Sequence, residues 1–270
     1  MKFIILAILL VGIFAQEDFI KHSIEVGSTA STWTTTDYES SLFKGWDLWD
    51  FIDILGTDIS DNYYIPDEFR QIDDYDVNGV PESFDAREEW GDCIHPIRDQ
   101  MACGSCWAFA TSEAFSDRLC ILEGVNRVLS PQDLVSCNTF INMGCKGGMP
   151  LAAWSYMSTN GLVTDECYPY TSGEGVRGEC LRTEDEVCPA EGVTYENYKI
   201  KFTTIRYLAL IKTLIKKEIM TNGPVVSGFL VYEDFPSYEG GIYEPQTDVF
   251  LGGHGVKVKY YLMKSFKQYL

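Results

Sequence analysis

The chain has 270 residues, 46% of them apolar and 23% charged, a balance that supports one or two sizeable buried cores and excludes wholesale disorder. Its 40 acidic residues outnumber 21 basic ones for a formal net charge of -19, so its field repels nucleic-acid phosphate and anionic lipid, and no nucleic-acid partner is expected. Three His and nine Cys show no zinc-type spacing, so no metal is expected.

Residues 1–15 join Lys2 to an apolar run from Phe3 to Phe14 and a small Ala15 before Gln16, the pattern of a cleaved secretory signal. The run is too short to span about 30 Å of hydrocarbon. No later segment reaches that length, and there is no Asn-x-Ser/Thr acceptor site. The expected product is exported and soluble, without a membrane span after signal cleavage, and free to form disulfides. From Gln16 to Gly79 there is no Cys, and 15 acidic residues stand against three basic ones; all nine Cys fall between Cys93 and Cys188. This break predicts a domain boundary near Asp76–Pro81, where Asn78-Gly79 and Pro81 supply turn chemistry. Within the acidic part, Trp33, Phe43, Trp46, Leu48, Trp49, Phe51, Ile52 and Leu55 form an apolar cluster too rich for a solvated linker. The spacing 48, 51, 52, 55 predicts a short packed helix with Asp47, Asp50 and Asp53 on its other side.

Beyond the boundary, apolar residues at 107, 109, 110, 114, 115, 119 and 122 predict a largely buried helix, with Ser116, Asp117 and Arg118 facing away. Ser130-Pro131 reads as an N-cap followed by a first helical Pro, and residues 150–160 as a third helix closed by Gly161. A fourth, over 207–220, places Leu208, Ile211, Ile215 and Ile219 on one face and ends at Asn222-Gly223-Pro224. Residues 225–232, 241–243 and 256–261 read as strands. Helices first and strands later predict an α+β fold.

The chemistry concentrates in Arg98-Asp99-Gln100-Met101-Ala102-Cys103-Gly104-Ser105-Cys106-Trp107, a turn-rich stretch running into the buried helix. Cys106 then sits at a helix N-terminus, whose amides and dipole favour the thiolate a sulfur nucleophile needs. Such a nucleophile needs a base that is close in space. His22 precedes the boundary and His95 lies in the entry loop, which leaves His254, 148 residues downstream in Gly252-Gly253-His254-Gly255.

Cys103-Gly104-Ser105-Cys106-Trp107, with a His at this distance, resembles the signature of papain-family cysteine proteases. Pro81–Arg87, Ser116–Ile121, Gly144-Cys145-Lys146-Gly147-Gly148, Asn222–Val225 and Gly252-Gly253-His254 are similar to other strings of that family, over about residues 81–256. The Ser-Asp-Arg and Gly-Gly-His strings resemble its cathepsin B branch. The resemblance implies a papain-like two-domain fold, a helical N-terminal domain and a β domain, over 80–270. It implies an inhibitory propeptide over 16–79, docked by Trp33 and the 46–55 cluster. Cys106 would be the nucleophile, His254 its acid–base partner, and Gln100 a donor to the oxyanion. Gly147 and Gly148 would pair with an extended peptide, and Met149, Pro150, Gly228 and Gly255 would border the pocket for the side chain two residues before the cut. No cofactor is implied. The partners are polypeptide substrates, the chain's own propeptide and protein inhibitors of cysteine proteases. The expected product is a monomer in a lysosome, a vacuole or the extracellular space.

Nine Cys minus one nucleophile leaves four disulfides. Family spacing implies Cys93–Cys120 and Cys103–Cys145; Cys137, Cys167, Cys180 and Cys188 allow three connectivities, of which Cys137–Cys180 with Cys167–Cys188 is preferred. Two features depart from the pattern. The stretch from Cys167 to Cys188 contains no His, where the branch carries the paired His used for removing carboxy-terminal dipeptides, so endopeptidase behaviour is expected. Only 16 residues follow His254, and residues 258–267 do not resemble the family's continuation. The expectation is therefore an incomplete antiparallel β domain with no Asn to orient His254, since Asn197 and Asn222 both precede it. The rival reading, a catalytically inactive truncated paralogue that binds peptides or inhibitors, is weighed against by the presence of Cys106, His254 and Gln100.

Overall fold

The computed structural model describes residues 18–59, 78–182, 186–189, 192–201, 208 and 211–261. The expected signal at 1–15, the first residues of the boundary at 76–77, the start of the fourth helix at 207 and the tail from 262 lie outside them. The chain divides into two compact units, Met1–Leu55 with Leu230–Gly252, and Gly56–Phe229 with Gly253–Leu270.

In the first unit, Asp18 caps helix α1 (Phe19–Gly27), accepting from the Ile20 amide at 3.2 Å, and Phe19, Ile20, Ser23 and Gly27 form its buried face. Strand β1 (Trp33–Thr35) runs antiparallel to β4 (Tyr238–Gly241), with Trp33 opposite Gly241 and Thr34 opposite Gly240. The buried Trp33 ring lies 5.3 Å from Tyr243 and 5.9 Å from Tyr238, and its indole N–H donates to the Glu244 carbonyl at 2.8 Å. Helix α2 (Leu48–Asp53) starts with a reciprocal capping box between Asp47 and Asp50. Its Phe51 is buried against Phe43, ring to ring at 5.1 Å, and Phe19 at 6.0 Å. The expected helix is present, but its Trp49 is exposed.

The second unit is built around α4 (Cys106–Glu123), which packs on α5 (Pro131–Cys137) and α6 (Pro150–Asn160). Trp107, Ala108, Phe115, Leu119, Leu134, Ala153 and Met157 form their shared core. Each helix boundary has a local cause. The Ser130 hydroxyl accepts from the Asp133 amide at 3.0 Å with Pro131 next in line, and Gly161 ends α6 in a left-handed turn at φ +72°. The short β2 (Phe84–Asp85) leads into α3 (Ala86–Trp90) and pairs antiparallel with β6 (Tyr260–Tyr261). Four disulfides join Cys93 to Cys120, Cys103 to Cys145, Cys137 to Cys180 and Cys167 to Cys188. Helix α7 (Lys212–Asn222) is followed by β3 (Val225–Tyr232), which pairs with β5 (Phe250–Val258).

Three expectations are corrected. Ser116 and Asp117 of α4 are fully buried, because Ser116 is bonded to the Ser112 carbonyl at 2.7 Å and the Leu129 amide at 2.9 Å, while Asp117 meets Lys257 at 2.7 Å. On α7 the buried residues are Leu214, Glu218 and Ile219, and Ile211 is exposed; an ion pair from Glu218 to Arg118 turns the helix toward 214 and 218. The last strands start earlier than expected, β4 at Tyr238 and β5 at Phe250, because glycines that read as strand breakers lie inside them. Gly253 has no room for a side chain, since a Cβ there would overlap the Thr57 carbonyl.

Candidate active site

Cys106 reaches its position through a pinned turn. Cys103 is tied to Cys145, the Gly104 amide donates to the Cys145 carbonyl at 3.0 Å, and the Ala102 amide donates to the Gly173 carbonyl at 2.9 Å. Met101 takes the left-handed conformation at φ +54°, and Ser105 stands at the N-cap of α4 with its hydroxyl turned away from the helix amides. Cys106 is the first helical residue and the free cysteine of the described chain.

His254, in the middle of β5, stands edge-on to the Phe229 ring at 5.8 Å. The Cys106 thiol is buried, which pushes its pKa up. The His254 imidazole, by hydrogen bonding and by charge, together with the Thr57 hydroxyl and the Gly255 amide, outweighs burial and brings the pKa below the ordinary thiol value. His254 Nδ1 makes no well-aligned hydrogen bond, the loose geometry common in resting sites.

The sulfur is covered by a segment the sequence reading did not single out. Gly56–Asp58 lies extended between two glycine backbones: the Gly148 amide donates to the Gly56 carbonyl at 2.7 Å, the Asp58 amide to the Gly148 carbonyl at 3.0 Å, and the Thr57 amide to the Gly253 carbonyl at 3.0 Å. Thr57 pairs in parallel with Gly148, and its hydroxyl lies 3.1 Å from the Cys106 sulfur. Gly56 has to be glycine here, because a Cβ would overlap the Gly104 carbonyl. Gly56 and Thr57 are small and leave no hydrophobic periodicity, so nothing in the local pattern marks the segment.

The other expected residues are placed as follows. Gly148 pairs with the segment, while the Gly147 carbonyl accepts from Met143 at 2.8 Å. Gly228 faces Thr57 and Ile59, and a Cβ on Gly255 would come within 2.6 Å of the Thr57 hydroxyl. Met149 and Pro150 are half-buried at the start of α6, with the Met149 amide bonded to Asn142 at 2.7 Å. Gln100 donates its side-chain N–H to the Cys103 carbonyl at 2.8 Å, on the turn leading to Cys106. His95 is engaged elsewhere, between Asp117 at 2.8 Å and Asn126 at 2.9 Å, and His22 belongs to the other compact unit, 3.5 Å from Glu233. Asn197 bonds Thr194 and Asn222 bonds Glu218, each at 2.9 Å.

A family model described as papain family cysteine protease matches residues 80–270. Cathepsin B-like cysteine proteinase 4 of Caenorhabditis elegans is 36% identical over 217 residues, 68% of this chain and 63% of the relative, so the match spans less than two thirds of that protein's length. Cathepsin B of Dictyostelium discoideum is 35% identical over 269 residues, 94% of this chain and 85% of the relative. Among solved structures, procathepsin B S9 from Trypanosoma congolense superposes with a TM-score of 0.71 at 28% identity, over 90% of this chain and 82% of that one. The fold is papain-like and α+β, and the chain belongs to the papain family of cysteine proteases, in its cathepsin B-like branch.

Proposed function

We propose that the chain is the precursor of a cysteine-type endopeptidase, with residues 16–79 as inhibitory propeptide and 80–270 as the peptidase part. The observation that carries this is the pair of Cys106, drawn toward the thiolate by His254, with an extended segment backbone-bonded across it.

The chemistry follows from those groups. Cys106 attacks the scissile carbonyl carbon as a thiolate. The carbonyl oxygen gains the charge, which the Gln100 side-chain N–H and the Cys106 backbone N–H stabilise. His254, as imidazolium, gives its proton to the leaving amine when the C–N bond breaks. It then takes a proton from the water that opens the thioester, releasing the acid and restoring the thiolate. Substrate would replace Gly56–Asp58 on Gly148 by the same strand addition. Met149, Pro150, Gly228 and Gly255 would border its side-chain pocket.

The resident segment is not cut because it presents the Thr57 hydroxyl to the sulfur, at 3.1 Å, and a hydroxyl is not an electrophile. Endopeptidase action, rather than dipeptide trimming, rests on the absence of His between Cys167 and Cys188. Four disulfides support passage through the secretory pathway, to a lysosome, a vacuole or the outside of the cell. The test is turnover of internally cleavable and of C-terminally trimmed peptides by the acid-processed chain. Internal cleavage abolished in Cys106→Ala is expected. Activity that survives this substitution, or confined to removal of two C-terminal residues, contradicts the reading.

A further inference from the structure

Tyr170 lies on the strip between Cys167 and Cys180, outside every role assigned above. Its hydroxyl is 2.8 Å from the Gln100 carbonyl oxygen and 2.9 Å from the Ser105 hydroxyl. A carbonyl can only accept, so the one phenolic proton goes to Gln100, and the Ser105 hydroxyl donates to Tyr170 in turn. That assignment also gives Ser105 its better partner, since the Cys103 carbonyl is 3.4 Å away. The result is a directed chain, Ser105 to Tyr170 to Gln100. Burial pushes the Tyr170 pKa up to about 12, which keeps the donating proton in place at any working pH.

The two ends of the chain matter. Ser105 is the residue directly before Cys106, and Gln100 carries the side-chain amide. Between them the turn is exposed at Met101 and Ala102, and Met101 holds the left-handed conformation, which is strained for a non-glycine residue. The Tyr170 ring is itself braced by the helix it serves, edge-on to Phe109 at 4.7 Å, and Phe109 is covered by the Arg98 guanidinium at 5.3 Å. We infer that Tyr170 is a positioning residue for the oxyanion donors: it holds the Gln100 main chain in fixed register with the start of α4, so that the Gln100 amide and the Cys106 backbone N–H converge on one point. This rests on the reading of Gln100 as an oxyanion donor.

The experiment uses the full chain, processed in acid, with a fluorogenic peptide amide. Tyr170→Phe keeps the ring and its contact with Phe109 and removes only the hydroxyl. The expected result is a fall in kcat of about 10-fold with KM within about twofold, since a misplaced donor costs transition-state and not ground-state binding. Alkylation of Cys106 by iodoacetamide develops no oxyanion, so its rate and pH profile stay as in the unsubstituted chain. In a Gln100→Ala background, Tyr170→Phe lowers kcat no further. An unchanged kcat, a parallel loss of alkylation, additivity with Gln100→Ala, or a Tyr170→Phe chain that does not fold would each overturn the inference. If the unsubstituted chain turns over and Tyr170→Phe matches it, the inference alone fails. If the unsubstituted chain shows no turnover, the protease reading fails and takes this one with it.

Discussion

Burial alone would hold Cys106 as a neutral thiol, because a charge in a low-dielectric site has lost its water. His254 reverses that balance, with Thr57 and Gly255 in support. His254→Ala removes its hydrogen bond and its charge together, so the thiol pKa rises. The expected outcome is that alkylation of the processed chain at pH 6 drops by about 10²- to 10⁴-fold and recovers only at alkaline pH; a pH profile unmoved by the substitution would exclude His254 as the partner. Gly56 is the second decisive residue. In Gly56→Ala the new methyl group overlaps the Gly104 carbonyl, and since that is backbone, the segment has to lift. The unprocessed substituted chain should then label at Cys106 more than 10-fold faster than the unprocessed parent, read by mass spectrometry, and equal rates would show that the segment does not guard the sulfur.

At the scale of elements, what joins the helix of Cys106 to the strand of His254 is a buried charge cluster. Lys257 of β5 lies 2.7 Å from Asp117 and 3.6 Å from Glu113, both on α4, and His95 bonds Asp117 through its ring and its backbone amide. Lys257→Met strips both carboxylates of this cation and should cost about 3–5 kcal/mol, read as a lowered denaturant midpoint. Burial already raises the Glu113 pKa, against the pull of Lys257 and Arg98, so protonation of Glu113 moderates the loss in acid. The His95 pKa is raised above its ordinary 6.5, first by its bond to Asp117, then by Asn126, against burial and the charge of Lys257. Its contribution is therefore fully present below about pH 6.5 and lost as pH rises through the folded value. His95→Gln should lower the melting temperature at pH 5.5 and lose most of that effect by pH 9; an equal loss at both would show that His95 acts by packing alone. This cluster was invisible as periodicity, since Ser116 and Asp117 read as a solvent face until a partner some 140 residues away along the chain is placed against it. The α5 and α6 starts, by contrast, were legible from Ser130-Pro131 and Pro150, because caps act over a few residues.

At the scale of the whole molecule, the residues of the expected propeptide contribute to both compact units, Phe19–Leu55 to one and Gly56–Ile59 to the other. The apolar elements of the first, Trp33 and Phe51, could be read from composition. Gly56 and Thr57 could not, because their fit depends on lacking bulk, and small polar residues leave no hydrophobic trace. The pairing of Cys106 with His254 was legible across 148 positions because each carried its own local context, a helix start and a glycine-rich strand. The Tyr170 chain was not, since it ends on the Gln100 backbone carbonyl, a group that any residue possesses. The most direct measurement is the second-order rate of Cys106 labelling by a peptidyl vinyl sulfone at pH 6, on the intact chain and after acid processing. Slow labelling of the intact chain, and labelling of the processed chain faster than that of free cysteine by about 100-fold or more, is the expected result. A processed chain that reacts no faster than free cysteine would contradict the account.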